Sequence, residues 1–146
     1  MPRIADLAAS IAAFMAVATS AGADVTISSD PTQNMSCSNG VCTPTARDAV
    51  LNVSDLENLL APSSVTVTTT GSGVQAANIE VKGEFGWSSA NTLFLDAFQS
   101  ITVGRVISIA GTGGLVLRTK DGGSGGALTF VRKVMRFFTI LPASSR

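Results

Sequence analysis

N-I-E-V-K-G-E-F-G-W-S-S-A-N-T-L-F-L-D (Asn78 to Asp96) is followed by S-I-T-V-G-R-V-I-S-I-A-G-T-G-G-L-V-L-R (Ser100 to Arg118), and laying one over the other decides the fold. At a single offset of 22 positions, Ile79 and Val81 meet Ile101 and Val103, Phe85 and Trp87 meet Ile107 and Ile109, and Leu93 and Leu95 meet Leu115 and Leu117. Each pair has the form apolar-x-apolar, which is the alternation of a short strand with one buried face. The residues between the pairs are polar or glycine and vary freely. A fixed period of this length marks a repeat architecture. Three short strands per period, separated by Gly, Ser, Asn and Asp turns, describe one coil of a β-solenoid. The expectation is an all-β chain with about three coils and the twelve apolar residues stacked in its core.

Working outward, residues 64–130 belong to this coil region. It opens with Val65-Thr-Val67-Thr-Thr-Thr70, rich in β-branched residues, and turns at Gly71-Ser-Gly73. The run Gly122 to Gly126 makes a corner, and Ala127 to Phe130 starts another strand. Residues 24–63 form an amino-terminal cap region. It holds a strand-like Val25-Thr-Ile27 and a short helix near Ser54 to Leu60, with Ser54 and Glu57 at capping-box spacing and a stop near Pro62.

Residues 1–23 read as a secretory leader. Leu7 to Val17 is a run without charge, and Ala21-Gly22-Ala23 suits a signal peptidase, with cleavage between Ala23 and Asp24. The run is short for a membrane span, which needs about 20 apolar residues. Export places the protein outside the cell or on its surface. There the two cysteines of the chain, Cys37 and Cys42 in C-S-N-G-V-C, are expected to form a disulfide around the Asn39-Gly40 turn. A zinc site lacks ligands, because the chain has no His and no other Cys. The triplets at Asn34 and Asn52 match the N-x-S glycan acceptor pattern.

Charge narrows the function classes. Residues 24–129 carry five basic and nine acidic side chains, while residues 130–146 carry four basic and none acidic. A mildly acidic body argues against nucleic-acid binding, which wants a basic face on the folded part. Without His, the commonest general base is missing, and Ser-His-Asp or Cys-His catalysis is impossible. Glu80 and Glu84 are the nearest candidates for a two-carboxylate glycosidase, against the plainer reading of solvated surface acids. The segment Gly71 to Ala76 matches G-x-G-x-x-A after a strand, but a further β-rung follows it where a nucleotide site needs a helix. No cofactor or metal is expected. Trp87 is read as core, facing Ile109 one coil later.

The stretch N-T-L-F-L-D-A-F-Q-S-I-T-V (Asn91 to Val103), followed by I-S-I-A-G-T-G-G-L-V-L (Ile107 to Leu117), resembles the rungs of filamentous-haemagglutinin-like bacterial adhesins and related β-strand-repeat surface exoproteins. The resemblance covers roughly Val65 to Phe130 and implies a right-handed parallel β-helix. It further implies a non-catalytic surface or secreted module of adhesin type, with a host or cell-surface glycan or protein as partner. The alternative on the same scaffold is a polysaccharide-degrading enzyme.

Residues 131–146 break the rung pattern. On a helix, Phe130, Val131, Val134, Met135, Phe138 and Leu141 would share one face, with Arg132, Lys133 and Arg136 opposite. Three readings stand: a truncated or frame-shifted piece of a larger repeat protein, a cap on the solenoid, or a helix lying on an anionic membrane. A short solenoid also leaves an unpaired strand edge at each end, and self-association through those ends is expected.

Overall fold

The structure, a computed structural model, describes residues 24–120 and 125–131. The leader with Ala23, the corner at 121–124 and the tail beyond Val131 lie outside the described residues. The chain is a β-solenoid of about 4 turns rather than three, built from parallel sheets with one short helix.

Two five-stranded sheets face each other across the core. Sheet A has the order β14 (Leu128–Phe130), β11 (Ile101–Val103), β8 (Asn78–Val81), β1 (Asp24–Ser28), β4 (Ala49–Asn52), parallel throughout. Sheet B has the order β13 (Gly114–Arg118), β10 (Thr92–Asp96), β5 (Val65–Thr68), β3 (Val41–Pro44), β2 (Met35–Ser38), parallel except for the β2–β3 hairpin. A third face holds the parallel pair β9 (Phe85–Trp87) and β12 (Ile107–Ile109), together with helix α1 (Val53–Leu60).

The columns read from the sequence are the ladders observed. Ile101 pairs with Ile79 and Val103 with Val81, Ile107 with Phe85 and Ile109 with Trp87, Leu115 with Leu93 and Leu117 with Leu95. Ile79, Val81, Phe85, Trp87, Leu93, Leu95, Ile101, Val103 and Ile107 are all buried, while Ile109, Leu115 and Leu117 in the last coil are half-buried. Each fully buried Ile or Leu contributes roughly 1.5–3 kcal/mol, offset by the entropy of ordering the coil.

Two coils depart from the regular spacing by insertion. The step from Val65 to its partner Leu93 exceeds the repeat, and the excess is the hairpin of β6 (Thr70–Gly71) and β7 (Val74–Gln75). That hairpin is what the G-x-G-x-x-A segment forms, with Gly73 at φ 73° in its turn. The step from Ile101 to its partner Leu128 is longer as well, the extra length falling between Arg118 and Leu128.

In the amino-terminal region, residues 24–63, strands β1 to β4 belong to the two sheets. β1 lies between β4 and β8, paired on both sides. The physical reason is height. A helix is about 10 Å across, which is two strand spacings of about 4.8 Å. Where α1 fills the third face, β1 and β4 fill the same height in sheet A, and β2 and β3 do so in sheet B.

The start of α1 also differs from the capping box expected at Ser54. The N-cap is Asn52, whose side-chain oxygen accepts from the Ser54 and Asp55 N–H groups. Glu57 instead turns outward from the helix, and its carboxylate accepts the Gly86 N–H at 2.9 Å. The disulfide is as expected: Cys37 and Cys42 face each other across β2 and β3 and are bonded. Asn39 at φ 52° and Gly40 at φ 78° form the two-residue type I′ turn between them.

Candidate binding surface

Strand alternation sends every second residue of sheet B outward, and those outward residues line up across coils. Val41 pairs with Thr66, Thr66 with Phe94, and Phe94 with Val116, so four adjacent strands present one continuous column. At about 4.8 Å per strand the column is roughly 14 Å long. Val41 and Val116 are 42% and 38% exposed, high for β-branched apolar side chains, and Phe94 lies half-buried between them.

Beside this column runs a polar one. Asp96 pairs with Thr68 on one side and Arg118 on the other, and Arg118 Nη1 approaches Asp96 Oδ2 at 3.7 Å. The Asp96 side chain is largely covered and the Arg118 side chain largely exposed. Between the two columns lies a shallow hollow of about 190 Å³ lined by Thr66, Phe94, Leu95, Asp96, Val116 and Arg118. An aromatic ring beside apolar methyls offers a dry platform, and the flanking guanidinium and hydroxyl supply hydrogen-bond donors at its edge. The arrangement suits reversible contact with a flat, partly apolar face such as a sugar ring or a peptide side chain.

The residues singled out from the sequence fall elsewhere. The twelve apolar positions form the core column, and of them Leu95 alone borders the hollow, between its outward neighbours Phe94 and Asp96. Trp87 is 7% exposed, stacks on Phe85 with ring centroids 6.2 Å apart, and donates its indole N–H to the Asn91 carbonyl at 2.8 Å. Glu80 lies on the outward side of β8, paired with Lys82 at 3.1 Å, and Glu84 is exposed in the turn before β9. Neither lines the hollow beside Phe94. Among the described residues no group of three His, Cys, Asp or Glu side chains is placed to hold a metal ion.

Other acids are absorbed by the fold. Asp24 accepts from the Asn78 amide at 2.9 Å, and Asp55 accepts from the Thr32 hydroxyl at 2.6 Å. The glycan-acceptor pattern at Asn52 is also absorbed, because its amide donates to the Ser29 and Asp30 carbonyls. Asn34 is exposed, with its amide on the Asp48 carbonyl.

Sequence reasoning missed Phe94 and Val116, although a signal was there. Both interrupt the alternation of their strands as the middle of three apolar residues, L-F-L and L-V-L, and they too stand one repeat apart. An apolar residue in an outward slot repeated at the coil period marks an exposed column. Comparison of the chain with protein-family models, with curated proteins and with solved structures found no match.

Proposed function

We propose that the chain is an exported, non-catalytic β-solenoid module of adhesin type, which uses the outer face of sheet B to hold a glycan or protein on a host or cell surface. The observation that carries this reading is the Val41–Thr66–Phe94–Val116 column with the Asp96–Arg118 pair beside it. A rigid parallel sheet fixes these side chains without loop ordering, so little entropy is lost when a partner docks. Export is supported by the leader pattern of residues 1–23 and by the Cys37–Cys42 disulfide, a bond that persists in oxidising compartments. The resemblance of the Asn91 to Leu117 rungs to filamentous-haemagglutinin-like exoproteins supports the same class. The polysaccharide-degrading alternative rests on Glu80 and Glu84, and no feature of their surroundings favours it.

The test is a binding screen of the chain against glycans and matrix proteins, repeated with Phe94→Ala. Affinity for the partner found is expected to fall on the order of tenfold or more, as for a central aromatic anchor. Folding stability is expected to change by less than about 1 kcal/mol, because the ring lies on the surface of the sheet. Equal binding by Phe94→Ala, or no partner in the screen, would count against the reading.

A further inference from the structure

The two ends of the solenoid are unlike, and each supplies what the other lacks. The geometry points to head-to-tail stacking: the carboxy-terminal end of one copy docks on the amino-terminal end of the next, forming an open-ended assembly. This surface adjoins the outer face of sheet B and shares Arg118 of β13 with it.

At the carboxy-terminal end, β13 and β14 are the last strands of their sheets among the described residues. Leu115 and Leu117 are half-buried there, whereas Leu93 and Leu95 beneath them are fully buried. Leu128 and Val131 are each 44% exposed, and the Val131 N–H still donates to the Val103 carbonyl, so both stand on the end of the ladder. Arg105, Arg118 and Lys120 are exposed around this end.

At the amino-terminal end, among the described residues, sheet A finishes at β4, whose outer edge Gln33 bridges at Val50, and sheet B finishes at β2, with α1 closing the third side. Between them opens a groove of about 370 Å³ whose walls include Met35, Leu51 and Leu59, with Thr32 and Asp55 at its polar side. Asp30, Asp48 and Asp55 are exposed on this first coil. The edge strand β2 has four residues against five in β13, and it runs antiparallel to β3. Docked on a second copy, it would meet β13 antiparallel, the more favourable ladder per residue.

Charge selects the pairing. Residues 24–96 carry eight acidic and two basic side chains, and the described residues after them carry three basic, Arg105, Arg118 and Lys120, and none acidic. Joining two carboxy-terminal ends would set Arg105, Arg118 and Lys120 against themselves. Joining unlike ends sets them against Asp30, Asp48 and Asp55. Such a contact is heterologous and does not close, so it propagates. An anionic membrane would also attract the basic end, but it would leave the acidic groove and the open β2 edge without a role.

The experiment is sedimentation velocity of the full chain, with and without residues 1–23 so that the leader's own contribution is separated. Concentration spans micromolar to near-millimolar, at low and high salt. The mass is expected to rise without a limiting oligomer, and the association constant to fall about tenfold or more when salt shortens the Debye length from about 10 Å to a few Å. Leu128→Glu and Val131→Glu should each weaken association at least tenfold with unchanged circular dichroism, since both side chains are already substantially exposed. Should either variant fail to fold, amide exchange on the unsubstituted chain reads the same contact: protection of β2 and β13 should rise with concentration. A mass that stops at the dimer, a monomer throughout, or a monomer that sediments only with phosphatidylglycerol vesicles would each overturn the proposal.

Discussion

Gly113 lies over the Trp87–Asn91 hydrogen bond of the preceding coil, and nothing larger fits. A Cβ added there would sit 2.4 Å from the Asn91 carbonyl oxygen and 2.6 Å from Trp87 Nε1. A Cβ added at Gly86 or Gly111 would likewise sit 2.5 Å or 2.2 Å from a backbone oxygen of the adjacent coil. These glycines are needed for close approach between stacked turns, since the backbone oxygens they face cannot rotate aside. Gly113→Ala is therefore expected to destabilise the fold by about 1–3 kcal/mol through overpacking. The indole N–H would also lose its acceptor or shift away from it. Denaturant unfolding followed by emission of the chain's one tryptophan measures both effects. Unchanged stability and emission would mean that Gly113 and Trp87 are not stacked at this spacing.

Helix α1 replaces strands on the third face, its start capped by the residue just before it and its end by side chains from far along the chain. Asn52 accepts two N–H groups at its start. The Ser89 hydroxyl and the Asn91 amide donate to the Leu60 carbonyl at its end, at 2.7 Å and 2.9 Å. Glu57 supplies the Gly86 N–H with the acceptor that a neighbouring strand would otherwise provide. Asn52→Ala removes the cap and leaves the Ser29 and Asp30 carbonyls without their amide donor. A loss of about 1–2 kcal/mol is expected, measurable by urea unfolding, with Asn52→Asp recovering the cap but not the two donated bonds. A loss in Asn52→Ala no greater than in an exposed control such as Asn58→Ala would refute this role. The helix itself was legible in the sequence, but its first residue was not. Ser54 and Glu57 have capping-box spacing, yet Asn52 wins because the end of β4 places it beside the carbonyls of Ser29 and Asp30, one strand away in the fold. Spacing alone does not contain that contact.

Across the whole molecule, what was legible is what repeats. The twelve core positions follow from an offset that holds from Ile79 to Leu117, because each coil stacks on its sequence neighbour. The position of β1 was hidden, since Val25 pairs with Ile79, beyond all of β2 to β7, and with Ala49 on the other side. Phe94 was hidden for a different reason: it obeys the period but points the opposite way from the core. The same register makes a strong prediction about the hairpin Thr70–Gln75. Because Val65 stacks on Leu93 and Ile79 on Ile101, Thr69 corresponds to Ala97 and Ala76 to Phe98, which are consecutive in the next coil. The hairpin is thus an insertion into one peptide bond of an otherwise regular corner. Its base is already closed, with the Ala76 N–H donating to the Thr69 carbonyl at 2.9 Å. Excision of Thr70–Gln75 is expected to leave a coil of the regular length that folds cooperatively. The shorter loop lowers closure entropy slightly, while the contacts of Gln75 with Thr69 and of Gly71 with Pro44 are lost, for a net change within about 2 kcal/mol. Thermal unfolding and amide exchange of the excised chain test this, with β5, β8 and β10 expected to keep their protection. Loss of cooperative unfolding would mean that the hairpin helps close the coil, and that the regular repeat unit is not sufficient at this level of the solenoid.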